Sequence, residues 1–205
     1  MKVILGGHWD KAPEGWTALT EKQQDITQRL NFQDGSVDAI FTEHVIEHIP
    51  FIPAIGFMRE AFRVLRPGGI LRTVAPMTHV FSNPDWHPEW LARYTFEQMR
   101  PYYEGEIAEL RKMGLSLDTD MRPFLVDFLV RKHGHQFCWS GGLMASVLKG
   151  IGFSNIHVSR PGLSVYDAST CLERKIRGTN AERFAKDFGD EAYFDPESGV
   201  VEAVK

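Results

Sequence analysis

Cysteine is scarce in this chain: Cys138 and Cys171 are the only two in 205 residues. They lie far apart and match no metal or redox spacing, so a reducing, cytoplasmic setting is expected. A dense basic run is also lacking. The formal net charge is −4, which leaves no electrostatic footprint for nucleic acid. No apolar run approaches the ~18 residues that would cross a bilayer. The apolar N-terminal residues Val3 to Leu5 give way to Gly6-Gly7 and then polar sequence, too soon for a signal peptide. Internal repeats and low-complexity tracts are absent as well. What remains is ordinary globular composition, with 43% apolar and 24% charged residues. That length fits one domain, residues 1–205, able to bury its own core.

The most legible stretch runs from Asn31 to Met77. Asp34-Gly35 signals a turn. Val37 to Phe41 is a short β-branched and aromatic run that predicts a strand. Pro53 sits where a first helical turn tolerates proline. Ile55, Met58, Ala61, Phe62 and Leu65 then recur at helical steps. Arg66-Pro67-Gly68-Gly69 is expected to stop that helix, and Ile70 to Val74 to form the next strand. Strand, helix and strand make a right-handed βαβ unit. Ligands in such sheets bind outside the carboxyl ends of the strands, which are Thr42-Glu43-His44 and Ala75-Pro76-Met77.

Upstream, Lys2 to Leu5 and Trp16 to Leu19 predict two more strands, the first running into Gly6-Gly7-His8. Only Gly7 to Gly15 lie between them, fewer than the roughly 10–12 residues of a normal crossover, so the first helix is expected to have shrunk to a turn. Lys22 to Leu30 is polar. Downstream, His79, Phe81, Pro84, Trp86, His87, Pro88 and Trp90 form an aromatic, irregular segment. It reads equally as a substrate lid or as a surface loop pinned by its tryptophans. Helices are predicted over Leu91–Met113 with a break near Pro101, over Phe124–Lys132 and over Gly141–Lys149. Strands are predicted over Asn155–Ser159 and Ser198–Val204. Asp167–Leu172 is expected to be irregular or briefly helical, and Lys175–Asp190 a solvated charged face.

These residues resemble the class I S-adenosylmethionine-dependent methyltransferases, and most of all a small bacterial branch associated with polysaccharide or cell-envelope genes. The resemblance rests on Leu5-Gly6-Gly7-His8, Gly15-Trp16, Asp25-Ile26, Leu30 through Asp38, His44-Val45-Ile46-Glu47-His48 and Glu60 through Gly69. Looser likenesses follow at Gly134-His135, Gly152-Phe153 and Glu197 through Ala203. The resemblance implies a Rossmann-like α/β fold: a seven-stranded sheet, helices on both faces, the last strand antiparallel. A lid-like insertion would occupy about residues 78–135. It implies S-adenosylmethionine as cofactor, with Gly6 and Gly7 near its methionine end. Asp25 and Ile26 would meet the adenine, and Thr42, Glu43 and His44 would line the floor. Two positions depart from the family pattern. His8 stands where the family has a glycine, and Thr20 stands where it has an acid for the ribose hydroxyls, with Glu21 adjacent.

The implied reaction is methyl transfer to a small acceptor, with a glycan precursor as one class. A general base helps when the acceptor is a hydroxyl, and His79 and His135 are the candidates. Trp86, Trp90, Tyr102 and Tyr103 can stack on a ring-shaped acceptor or simply pack. A binding module of the same fold, with weak or lost cofactor binding, is the alternative. A third reading takes His44-x-x-Glu47-His48 as an inverted zinc-peptidase spacing on one helix face, but the same residues fall where the family begins a helix. No resident metal is therefore expected. The sequence leaves the oligomeric state open.

Overall fold

A computed structural model describes residues 1–6, 12–78, 103–114, 127, 130, 134–173 and 198–205. Among these, six strands form one sheet: β1 (Lys2–Leu5), β2 (Trp16–Leu19), β3 (Val37–Glu43), β4 (Leu65–Pro76), β5 (Ser154–Ser159) and β6 (Ser198–Val204). Their order is β2-β1-β3-β4-β6-β5. β1 to β4 run parallel, and β6 runs antiparallel to both of its neighbours. The expected antiparallel last strand is therefore present, while the expected seven strands are six among the described residues. β1 and β2 are parallel neighbours in spite of their short connection, with Lys2 opposite Trp16.

Helix α1 (Phe51–Val64) crosses from β3 to β4. Its buried stripe is Ala54, Phe57, Met58, Ala61 and Val64, a 3–4 spacing offset from the expected one. Ile55 and Phe62 flank the stripe, and Leu65 already belongs to β4. The helix does not end at the Pro-Gly-Gly sequence. It ends at Val64, because Leu65 turns extended (φ −65°, ψ 137°). Arg66 through Gly69 instead form an irregularity inside β4, where the register to β3 jumps from Val37↔Leu65 to Ala39↔Ile70. Gly69 is required there: a Cβ would lie 2.9 Å from the Arg66 carbonyl oxygen and 3.2 Å from that of Asp38. Arg63 clamps the preceding turn onto α1, donating to the carbonyls of Leu30 and Phe32 and to Asp34 and Glu60.

Two further helices among the described residues are α2 (Glu104–Lys112) and α3 (Gly141–Ile151). Ser140 caps α3 by accepting from the Leu143 N–H at 3.1 Å. One face of the sheet (Val3, Leu5, Ile40, Leu71, Val201, Ala203) packs with α1, α3, Ile26 and Leu30 in the main core. The other face carries a smaller cluster of Ile4, Trp16, Ala39, Phe41, Val74 and Val200, against which Leu172 packs. No helix among the described residues is long and apolar enough to cross a membrane. The aromatic segment from His79 to Trp90, most of the insertion, and Lys175–Asp190 lie outside the described residues.

Candidate functional site

The parallel strands β1, β2 and β3 end on the same edge of the sheet, and the candidate residues gather there. Gly6 follows β1 with φ +77°, and its N–H donates to the Leu19 carbonyl at 2.9 Å. A Cβ at Gly6 would lie 2.7 Å from Cγ2 of Val45. Only glycine lets the turn after β1 approach the turn after β3 so closely. Gly7 and His8 lie outside the described residues.

At the end of β3, Thr42 is fully buried, and its hydroxyl has no hydrogen-bond partner among the described residues. Glu43 is buried beside it. His44 then adopts φ +51°, a left-handed conformation that few side chains take. Among the contacts that hold it, its N–H donates to the Val74 carbonyl at 3.0 Å, its Nε2 bonds Ser198 Oγ at 3.0 Å, and its Nδ1 lies 3.3 Å from Glu47 Oε1. Such strain is concentrated at ligand-binding edges in many proteins.

Past β2, Thr20 and Glu21 are exposed, and the Thr20 hydroxyl donates to Gln23 Oε1 at 2.9 Å. Asp25 is exposed too. Its Oδ1 accepts from the Thr27 N–H and hydroxyl at 2.8 and 2.7 Å, bonds that hold the carboxyl below its ordinary pKa. Ile26 is 6% exposed and packs in the main core with Leu30. The edge therefore contains a glycine in a left-handed turn, an orphaned buried hydroxyl at Thr42 and carboxylates at Glu21 and Asp25. That donor and acceptor set fits a polar, amino-acid-bearing nucleoside.

The inverted-peptidase spacing does not produce its expected geometry. Ile46–His48 is a 3₁₀ turn of three residues, and His44 lies outside it in left-handed backbone. Two imidazoles on one face of an α-helix are not formed. What the sequence reading missed is where residues 134–139 run. Met77 bridges Trp139 in parallel, and the Thr78 N–H donates to the Trp139 carbonyl at 2.8 Å. The segment then returns to the turn after β3, where Gln136 and Phe137 donate their N–H groups to the Glu47 carbonyl at 2.7 and 3.2 Å. His135 is thereby brought against His48, ring centroids 4.8 Å apart at 78°. Cys138, in the same segment, has its thiol pKa pushed up by burial and by the Glu47 carboxylate. His79 lies outside the described residues.

Residues 9–73 match a family described as a methyltransferase domain. No curated protein matches. Among solved structures, the chain is similar to an S-adenosylmethionine-dependent methyltransferase from Archaeoglobus fulgidus, at 11% identity and TM-score 0.47, covering 93% of this chain and 68% of that one. It is similar to a methyltransferase from Thermotoga maritima at 12% identity and TM-score 0.42, covering 93% and 63%. It is also similar to a Haemonchus contortus phosphoethanolamine N-methyltransferase bound to S-adenosyl-L-methionine, at 14% identity and TM-score 0.43, covering 93% and 36%. The chain thus spans from about a third to two thirds of the length of these proteins, and likenesses so remote decide nothing about substrate. The family match falls on the unit from β2 to β4, in a sheet with the antiparallel last strand that the sequence resemblance implies. Residues 9–73, about a third of the chain, are thus similar to a methyltransferase domain.

Proposed function

We propose that this protein transfers a methyl group from S-adenosylmethionine to a small acceptor, and that a glycan precursor is the acceptor class to test first. The observation that carries the reading is the family match over residues 9–73, which ends inside β4 and spans the turn where Thr42, Glu43 and His44 leave β3. Gly6, Gly7 and His8 would contact the methionine end, Thr20 and Glu21 the ribose, and Asp25 with Ile26 the adenine. Thr42, Glu43 and His44 would form the floor. When bound, the cofactor supplies an electrophilic methyl on a sulfonium. The chain supplies position, since holding the acceptor in line accounts for much of the rate. It also supplies a base from His79 or His135, imidazole being a side chain suited to accepting a hydroxyl proton. We place the protein in the cytoplasm.

Calorimetric titration with S-adenosylmethionine and with its demethylated product tests the reading. Saturable binding is expected, and Asp25→Ala should weaken it about ten-fold, the scale of one charge-assisted hydrogen bond. A folded protein that binds neither compound at millimolar concentration would instead be a binding module of this fold. One observation favours that second reading: Thr20, at the end of β2, offers a hydroxyl already turned to Gln23 rather than an acid.

A further inference from the structure

We propose that Glu47, His48 and His135 form a site for a divalent first-row transition-metal ion at the carboxyl edge of the sheet. One oxygen of Glu47 and one ring nitrogen from each histidine all lie within 4.8 Å of one another. Ligands about 2.1 Å from a tetrahedral ion sit about 3.4 Å apart, so small side-chain rotations close the set.

The second observation is the state of Glu47. It is 1% exposed, and neither carboxylate oxygen accepts a hydrogen bond among the described residues. The basic groups beside it are imidazoles, with His44 Nδ1 at 3.3 Å and His48 Nε2 at 3.8 Å. A carboxylate taken out of water without donors is costly. A dication coordinated by it and two imidazoles removes that cost.

The backbone has already fixed the three ligands together. Gln136 donates its N–H to the Glu47 carbonyl at 2.7 Å and its side-chain amide to the His48 carbonyl at 2.8 Å. The residue next to His135 is therefore bonded to both other ligand-bearing residues. Two imidazoles and one carboxylate suit zinc, manganese, iron or nickel rather than calcium or magnesium. Three protein ligands leave a position for water or for an oxygen of a bound acceptor. The assignment occupies His135 and leaves His79 as the base of the methyl-transfer reading, on which the metal site itself does not depend.

The experiment uses the whole chain, stripped by dialysis against a chelator and titrated separately with Zn²⁺ and Mn²⁺. About one equivalent should bind. Glu47→Gln and His135→Ala should each weaken binding by at least about ten-fold. His157→Ala, at an exposed histidine on β5, should leave it unchanged. Absence of saturable binding, or equal affinity in folded His135→Ala, overturns the site. Should the variants fail to fold, Co²⁺ added to the unmutated protein decides. Intense visible bands of four- or five-coordinate cobalt support the site, and the weak spectrum of six-coordinate aqueous cobalt overturns it. S-adenosylmethionine affinity on the same samples tests the methyl-transfer reading separately.

Discussion

Two buried glutamates can be compared, one with its own hydrogen-bond donors and one without them among the described residues. Glu202 on β6 and Glu47 in the turn after β3 are 0% and 1% exposed. Glu202 stands opposite Arg72 in register across β4 and β6. Its Oε1 lies 2.8 Å from Arg72 Nη1 and accepts from the Ser164 hydroxyl at 2.6 Å, while the Val165 N–H reaches Oε2 at 3.3 Å. Arg72 also pairs with Glu173 and donates to the Leu163 carbonyl at 3.0 Å. This cluster ties residues 163–173 down over the second face of the sheet. Glu47 has no such donors among the described residues, only nearby imidazoles. The difference teaches where to look for function. A buried charge enclosed by its own partners holds structure, whereas one left short of partners, on the ligand-binding edge of an α/β sheet, invites a ligand.

Breaking the Arg72–Glu202–Glu173 cluster should have the largest effect. Arg72→Met strands two buried carboxylates and should destabilise the fold by about 3–5 kcal/mol, read by urea denaturation. A loss near zero would mean that the cluster is not the anchor its geometry implies. Next comes the open edge itself. Gly6→Ala forces a Cβ into left-handed backbone and towards Val45, at a cost of about 1–2 kcal/mol from the backbone alone, with the steric contact added. Gly6→Ala combined with Val45→Ala should recover the steric part and not the backbone part. Full recovery would show that φ at Gly6 is not the constraint.

The two glutamates can also be compared directly by the same change. Glu202→Gln keeps the shape, removes the charge facing Arg72 and should cost about 1–3 kcal/mol. Glu47→Gln in metal-free protein removes a charge that has no donor, so stability should stay level or rise by about 1 kcal/mol. Equal losses at both positions would erase the distinction between them.

How much of this was legible beforehand follows the range of the interactions. Val37 to Phe41, the helix after it and Ser198–Val204 were readable because each is a local periodic pattern. The end of α1 was misread because Pro-Gly-Gly ordinarily means a stop. Only the register jump opposite Val37 and Ala39 reveals it as an irregularity within a strand. The Arg72–Glu202 pair had a signal in the sequence: one charged residue in each of two strands otherwise free of charge, Ile70–Ala75 and Val200–Val204. The meeting of His135 with Glu47 and His48 had none. It depends on residues 134–139 returning along the edge, held by backbone bonds that no local spacing encodes. The positions expected to bind the cofactor came from the resemblance, and Thr20 and Asp25 turn their side chains to Gln23 and Thr27 for reasons of local turn chemistry.

An exposed ion pair supplies the lower end of the same scale. Asp38, at the start of β3, pairs with the Met1 amino group and, at 2.5 Å, with Arg66 Nε. Hydrogen bonds from the Met1 amine and then from Arg66 lower its pKa from the ordinary 3.8 to about 2. A carboxyl whose folded pKa is depressed binds its proton more readily in the unfolded chain. Its contribution is therefore complete above the ordinary value and is lost as pH falls from about 3.8 towards about 2. Because solvent screens the pair, the effect should be small and should shrink further as salt is raised. Asp38→Asn should flatten this part of the stability–pH profile at low salt; above about pH 5, where the carboxyl is ionised in both the folded and the unfolded wild-type chain, it should leave the slope unchanged and lower stability by the pair's full, small contribution. A profile between pH 2 and 4 identical in the variant and the parent would mean that the pair contributes nothing in solution. Burial, rather than pairing, would then be what separates the charges that hold this fold from those that merely decorate it.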